Sequence, residues 1–232
     1  MFSIDEFNRE YDTERRDIVI DGRSYGFLVP ESIERFLDPQ DPLQDFPLWA
    51  KIWPAGVVLA GHLSQLPVVM GRRILEIGSG LGLVGIVAAC SGHDVTLTDF
   101  NPHALEFARA NAHINGCTTL SVQRLDWRDP LPAGVFDIIV GSEIVYKDQD
   151  IDRLLTVFDT CLAPQGHILL VEEMRRTLDL FFRRLDPYYR IAIKKNVLRA
   201  ADEETRVLLI QMRPRTDKPG HPGGLEGQAW LT

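Results

Sequence analysis

From Arg73 onward the chain alternates between short apolar runs and longer stretches with apolar residues at helical spacing. Ile74-Leu75-Glu76-Ile77 reads as a strand closing on glycines, and Leu83 to Ser91 as a buried helix. Val95 to Asp99 is a second strand. Asn101-Pro102 caps and opens a helix that stops near Asn115-Gly116. Leu120 to Asp126 and Phe136 to Glu143 supply a third and a fourth strand. A helix from about Asp150 to Leu162 ends before Pro164, and His167 to Glu173 is a fifth strand. Arg175 to Leu185 is helical, and two long strands follow, Tyr188 to Leu198 and Thr205 to Met212. Strands interleaved with helices imply right-handed crossovers and a parallel sheet, hence an α/β, doubly wound fold. The last two strands have no helix between them and are expected to pair antiparallel at one edge.

Ahead of this region, Asp17 to Val29 carries two β-prone runs around Asp21-Gly22, a hairpin signal. Pro54 opens an apolar segment, PAGVVLAGHLSQL, suited to a helix with proline in its first turn. Three parts are therefore expected: an extension with a hairpin over residues 1–46, a main domain over 47–212, and a flexible Pro- and Gly-rich tail over 213–232.

Composition narrows the function classes. The apolar fraction of 45% over 232 residues suits one globular domain with a sizeable core. Net charge is −8, and no basic stripe exceeds Lys194-Lys195 or Arg183-Arg184, which argues against nucleic acid as the main partner and for cationic ones. Cys90, Cys117 and Cys161 are odd in number and widely scattered. They suggest neither a disulfide framework nor, with the dispersed histidines, a structural metal, and they fit a reducing cytoplasm. The N-terminus lacks the hydrophobic core of a signal peptide, and no stretch of about 18 apolar residues is present to span a membrane.

The chemistry is concentrated in Glu76-Ile77-Gly78-Ser79-Gly80-Leu81-Gly82. Glycines at a strand-to-helix turn let the backbone approach a ligand closely, and the helix start offers free N–H groups. Gly80, Gly82 and Gly85 also fit a dinucleotide fingerprint with Asp99 about 20 residues on, so NAD and an oxidoreductase remain open on this segment alone. Glu76 argues otherwise. A carboxylate before the glycines would repel a pyrophosphate but suits a cationic amino group, such as that of S-adenosylmethionine. Asp126, ending the third strand, is placed to accept from an adenine amino group. More than 70 residues precede the first strand of this unit, unlike many dinucleotide domains.

At these residues the chain resembles a known group. LEIGSGLGLVGIVAA, Asp99, Asn111 with Asn115, Leu125-Asp126-Trp127 and Ser142-Glu143-Ile144-Val145-Tyr146 are similar to the seven-strand methyltransferases of family 16, protein lysine methyltransferases marked by an acid-x-x-Tyr motif after the fourth strand. Pro47 to Pro54 (PLWAKIWP) resembles their pre-domain Trp segment, most like the branch acting on the electron-transfer flavoprotein β subunit. The resemblance spans roughly Pro47 to Met212 and departs at Glu143, where Asp is common. It implies a Rossmann-like seven-stranded sheet with an antiparallel last strand and S-adenosylmethionine as methyl donor. Glu76 would bind the donor's amino group, with Gly78, Gly80 and Gly82 clearing room for it. Asp99 would take the ribose hydroxyls, Asp126 the adenine, and Trp127 and Trp53 would pack nearby. Glu143 and Tyr146 are the catalytic candidates, expected on one face if their turn is helical. The Asn/Asp-Pro-Pro-Tyr segment that holds planar neutral amines is absent, and a carboxylate stands in its place. That points to a cationic acceptor, a protein lysine first, with a small-molecule amine or ring nitrogen as the alternative within enzymes and a non-catalytic nucleoside-binding module outside them.

Overall fold

The computed structural model describes residues 2–41, 46–117, 120–129, 134–200 and 203–216. In chain order they form α1 (Ile4–Glu10), β1 (Thr13–Ile20), β2 (Arg23–Pro30), α2 (Pro54–Ser64), β3 (Arg73–Ile77), α3 (Leu83–Cys90), β4 (Asp94–Asp99), α4 (Pro102–Ile114), β5 (Ser121–Arg124), β6 (Phe136–Ser142), α5 (Ile151–Cys161), β7 (Leu162–Glu173), α6 (Thr177–Leu185), β8 (Tyr189–Ala200) and β9 (Glu203–Pro214), with short 3-10 turns between some of them. Most of the expected tail, from residue 217 with Trp230, lies outside the described residues. No described helix is long and apolar enough to cross a membrane.

The main sheet has seven strands in the order β5-β4-β3-β6-β7-β9-β8. β3 to β7 run parallel, whereas β9 lies antiparallel between β7 and β8. The doubly wound sheet with an antiparallel last strand is thus the one expected. Its central strands are largely apolar and buried because helices cover both faces. Leu59, Ile86, Leu97 and Ala108 pack on one side with α2, α3 and α4; Phe158, Phe181 and Leu185 pack on the other with α5 and α6. The chain reverses direction of progress between β3 and β6. Ligands of open α/β sheets bind at such a switch point, beyond the carboxyl ends of the strands.

Several local choices explain themselves. Asn101 caps α4, its Oδ1 accepting from His103 N–H at 2.9 Å and Ala104 N–H at 3.3 Å, with Pro102 in the first turn. The β1–β2 hairpin turns at Asp21 and Gly22, both with positive φ, as a type I′ connection favours. The first helix, α1, went unread because charge alternates along MFSIDEFNREY. Its signal is present as Ser3-x-x-Glu6, and Ser3 Oγ does accept from Glu6 N–H. That helix buries Phe7, whose ring meets Phe107 of α4 edge-on at 5.0 Å.

The extension is fastened to the main domain by amides. Asn115 accepts from Gly26 N–H at 3.2 Å and donates to Gly26 O at 2.7 Å. One turn earlier, Asn111 accepts from Leu28 N–H at 2.7 Å and donates to Leu28 O at 3.2 Å and to Leu81 O at 3.0 Å. Residues four apart on a helix and two apart on a strand share nearly the same rise, so the two amides stand in for a neighbouring strand. Asn111 is fully buried and ties the hairpin to the glycine turn. Asn111→Ala is therefore expected to cost about 2–4 kcal/mol by leaving buried backbone groups unpaired, read by chemical denaturation; a midpoint within error of wild type would contradict the assignment.

The cysteines require a correction. Cys90 ends α3 and Cys117 follows α4, and the structure joins them as a disulfide with Cα atoms 6.1 Å apart. The two cysteines, 27 positions apart, meet because α3 and α4 flank the same strand and finish at the same end. Cys161 is free and buried.

Candidate active site

A cavity of about 350 Å³ opens over the carboxyl ends of β3, β4, β5 and β6. Glu76, Gly78, Gly80, Asp99, Asp126, Trp127, Glu143, Tyr146 and Trp53 all line it, although they come from widely separated stretches of sequence. Gly82 does not. At φ 83° it begins α3, and a Cβ there would lie 3.0 Å from Ile86 and 3.2 Å from Leu97, so it serves packing beneath the turn.

Gly78 and Gly80 do shape the cavity wall, both with positive φ. A Cβ on Gly80 would sit 3.1 Å from the backbone oxygen of Trp49, which brings the PLWAKIWP segment against the glycine turn. Trp53 lends the cavity its ring only, because its Nε1 donates to Leu48 O at 2.8 Å.

The acids have distinct surroundings. Glu76 is fully buried and accepts from Gly85 N–H at 2.8 Å. Burial pushes its carboxyl up to about 8, helped by the charge of Asp99 and opposed by the Gly85 N–H. Asp99 is also raised by burial, against N–H donors from Asn101, Gly80 and Phe100. Its Oδ2 accepts from Gly80 N–H and its Oδ1 from Asn101 N–H, both at 2.9 Å, so the carboxylate plane is locked across the β4 end. Asp126 differs: bonds from Arg128 Nε and Nη2 at 2.8 and 2.7 Å hold its pKa below the usual carboxylate range despite its burial.

Three further residues complete the wall. Ser79 Oγ is buried and has no hydrogen-bond partner among the described residues, as expected for a group reserved for a ligand. Phe100 is 42% exposed, follows Asp99 directly and lines the cavity, with the Arg128 guanidinium 5.5 Å from its ring centre. Its signal was the aromatic immediately after a strand-end acid. Trp49 Nε1 is likewise buried without a partner among the described residues. These features fit S-adenosylmethionine: a glycine cradle, an orphaned hydroxyl, a buried acid with no cationic partner among the described residues for an amino group, and a fixed carboxylate for a ribose.

Glu143 and Tyr146 follow β6, but their turn is not helical, contrary to the expectation of one helical face. Glu143 sits at φ 52°, a left-handed conformation costly for a side chain with Cβ. It is held there by Glu143 N–H donating to Val171 O at 3.0 Å and by Glu173 N–H donating to its Oε1 at 2.7 Å. Arg175 joins the pair: its guanidinium bonds Glu143 and lies 5.0 Å from the Tyr146 ring centre. Burial raises both Glu143 and Tyr146, the former against Arg175.

Glu76 yields a linkage prediction. Because its folded pKa is raised, its contribution to stability is complete below its unfolded value and is lost as pH rises through about 8. A bound amino group favours the ionised form, so binding S-adenosylhomocysteine at neutral pH should release close to one proton, fading above about pH 9. Calorimetry in buffers of different ionisation enthalpy measures this; heats independent of buffer would refute it.

Comparison with known proteins agrees with this geometry. Residues 44–187 match the model of the lysine methyltransferase family. The protein N-lysine methyltransferase METTL21A of Danio rerio is 38% identical over 138 residues, 56% of this chain and 63% of that protein. EEF1A lysine methyltransferase 3 of Mus musculus is 33% identical over 184 residues, covering 75% of this chain and 76% of that one. Histone-arginine methyltransferase METTL23 of Rattus norvegicus is 35% identical over 111 residues, 45% and 49% of the two chains. Among solved structures, a SAM-dependent methyltransferase from Agrobacterium tumefaciens aligns with TM-score 0.59 at 16% identity, over 90% of this chain and 72% of that one. A Pyrococcus abyssi tRNA (uracil-54, C5)-methyltransferase in complex with S-adenosyl-L-homocysteine aligns with TM-score 0.57 at 22% identity, over 87% and 45%. These two show the shared fold. The nicotinamide reading left open by the glycines gives way to the methyl donor. With more than half its length inside the family model and its strand-end acids around one cavity, this chain belongs to the lysine methyltransferase family and is an S-adenosylmethionine-dependent methyltransferase.

Proposed function

We propose that the acceptor is the side-chain amine of a lysine in a protein. The observation that carries this reading is the Glu143–Tyr146 turn: it walls the same cavity as Glu76 and Asp99, and it presents a carboxylate and an aromatic ring rather than groups for a neutral amide. The names of the METTL21A and EEF1A lysine methyltransferase 3 relatives support it.

S-adenosylmethionine, when bound, supplies a methyl group activated by a positive sulfur. The chain's own residues bind and orient. Asp99 is positioned to accept from the ribose hydroxyls, Asp126 to accept from adenine, and Phe100 and Trp127 to flank the base. Glu76 and Ser79 serve the amino-acid end, Glu76 by giving up its proton. Displacement at carbon requires the amine nitrogen in line with the departing sulfur, so positioning supplies much of the rate. The amine must also be neutral; from a pKa of about 10.4, losing its proton at pH 7 costs roughly 4–5 kcal/mol. The Tyr146 ring walls the approach and excludes water, and Glu143 orients the arriving ammonium and receives its proton.

The test is transfer of isotopically labelled methyl from the donor into a cell lysate, followed by digestion and mass spectrometry. A methyl increment on lysine of a discrete protein is expected. Label confined to small molecules would overturn the proposal, as would label on arginine, the side chain named for the METTL23 relative.

A further inference from the structure

The acid of the turn after β6 is not free. Glu143 Oε1 accepts from Glu173 N–H at 2.7 Å, and Oε2 is engaged by the Arg175 guanidinium. The same guanidinium lies 3.5 Å from the Glu173 carboxylate and over the Tyr146 ring. From β7, buried Glu172 accepts from Ile144 N–H at 2.9 Å and fixes the turn from behind. Burial and the charge of Glu143 push Glu172 up to about 8, so near neutrality it carries a proton. The charged and titratable groups facing one another are thus Glu143, Glu172, Glu173, Tyr146 and Arg175. The cation among them arrives from the β7–α6 connection, a different element from the acid and the tyrosine.

We propose that Arg175 is a positioning residue for methyl transfer: it fixes the Glu143 carboxylate and supplies the nearby positive charge that favours the neutral form of the acceptor amine. This rests on the lysine-acceptor reading above. An unopposed buried carboxylate would stabilise the ammonium, the protonation state that cannot attack. A guanidinium bonded to that carboxylate offsets the effect while leaving its direction set. Arginine suits the task because it keeps its charge at any working pH and stacks on an aromatic face while it forms an ion pair. Both Glu143 oxygens already have donors within the protein, so an arriving ammonium meets a carboxylate whose charge is countered. Displacement of Arg175 by the acceptor would leave the buried Glu143 carboxylate without its cation, a costly event.

The experiment is the pH–rate profile for methylation of a protein acceptor by wild type, Arg175→Gln, Arg175→Lys and Glu143→Gln. The wild-type rate is expected to rise with pH to a plateau. In Arg175→Gln the rising limb should move about one unit to higher pH. In Glu143→Gln, which has no carboxylate to take the proton, turnover should fall at every pH, and Arg175→Lys should stay near wild type, while S-adenosylhomocysteine affinity stays level in the two Arg175 variants. An Arg175→Gln limb that coincides with wild type or moves to lower pH overturns the proposal, and so does faster turnover at neutral pH, the mark of a displaced plug. Should Arg175→Gln not fold, Arg175→Met removes the same charge, and a limb that coincides with wild type there overturns the proposal equally. Wild type that binds S-adenosylhomocysteine but methylates no protein amine removes the acceptor reading itself, and this inference with it.

Discussion

Exchange of Gly85 for alanine is expected to lower stability by about 3 kcal/mol, although alanine is the better helix former. Gly85 lies in the first turn of α3, where a Cβ would stand 1.9 Å from Leu97 Cδ2 and 2.6 Å from Glu76 Oε2. Neither neighbour can yield cheaply. Leu97 is fully buried in the β4 core, and Glu76 Oε2 is the acceptor for Gly85 N–H. The gain of about 1 kcal/mol from helix propensity is outweighed by overpacking and by displacement of a buried acid. For a domain of this size the melting temperature should fall by about 6–12 °C. Thermal denaturation gives the answer, and a melting point equal to or above wild type would show that α3 does not press this closely on β4.

Asp99→Asn should weaken S-adenosylhomocysteine binding by about 30- to 100-fold, the effect of roughly 2–3 kcal/mol from hydrogen bonds to a charged group. The two side chains have the same shape, but in the present arrangement both Asp99 oxygens face N–H donors, those of Gly80 and Asn101. An asparagine must turn its own NH₂ toward one of them. That disturbs the glycine turn or the α4 entry, and it leaves one oxygen where two hydroxyls need acceptors. Titration calorimetry on the folded variant measures the loss. Affinity unchanged from wild type would remove Asp99 from the ribose site.

Much of this architecture could be read from the chain because the central strands β3, β4 and β6 are short, mostly apolar runs that stop at glycine or an acid. The cap at Asn101-Pro102 and the turn at Asp21-Gly22 are local devices whose geometry follows from residue type. What stayed hidden depends on contacts between distant residues. Arg175 meets Glu143 across 32 positions, and no spacing rule links them until β6 and β7 lie side by side. The Cys90–Cys117 bond likewise appears only once α3 and α4 are placed. Asn111 and Asn115 stood out as a pair, yet their task of gripping β2 depends on where the hairpin docks. Gly82 shares a motif with Gly78 and Gly80, but as the N-cap of α3 it lies against Ile86 and Leu97, a packing role that the motif alone does not reveal.

The central expectation is that strand-end acids gather around a cationic, nucleoside-bearing methyl donor. A crystal structure of the chain with S-adenosylhomocysteine tests this directly. It should show the ribose hydroxyls on Asp99, the amino group on Glu76 and the adenine between Phe100 and Trp127. A product molecule bound elsewhere, or seated in the cavity with Glu76 and Asp99 touching none of its atoms, would contradict the assignment.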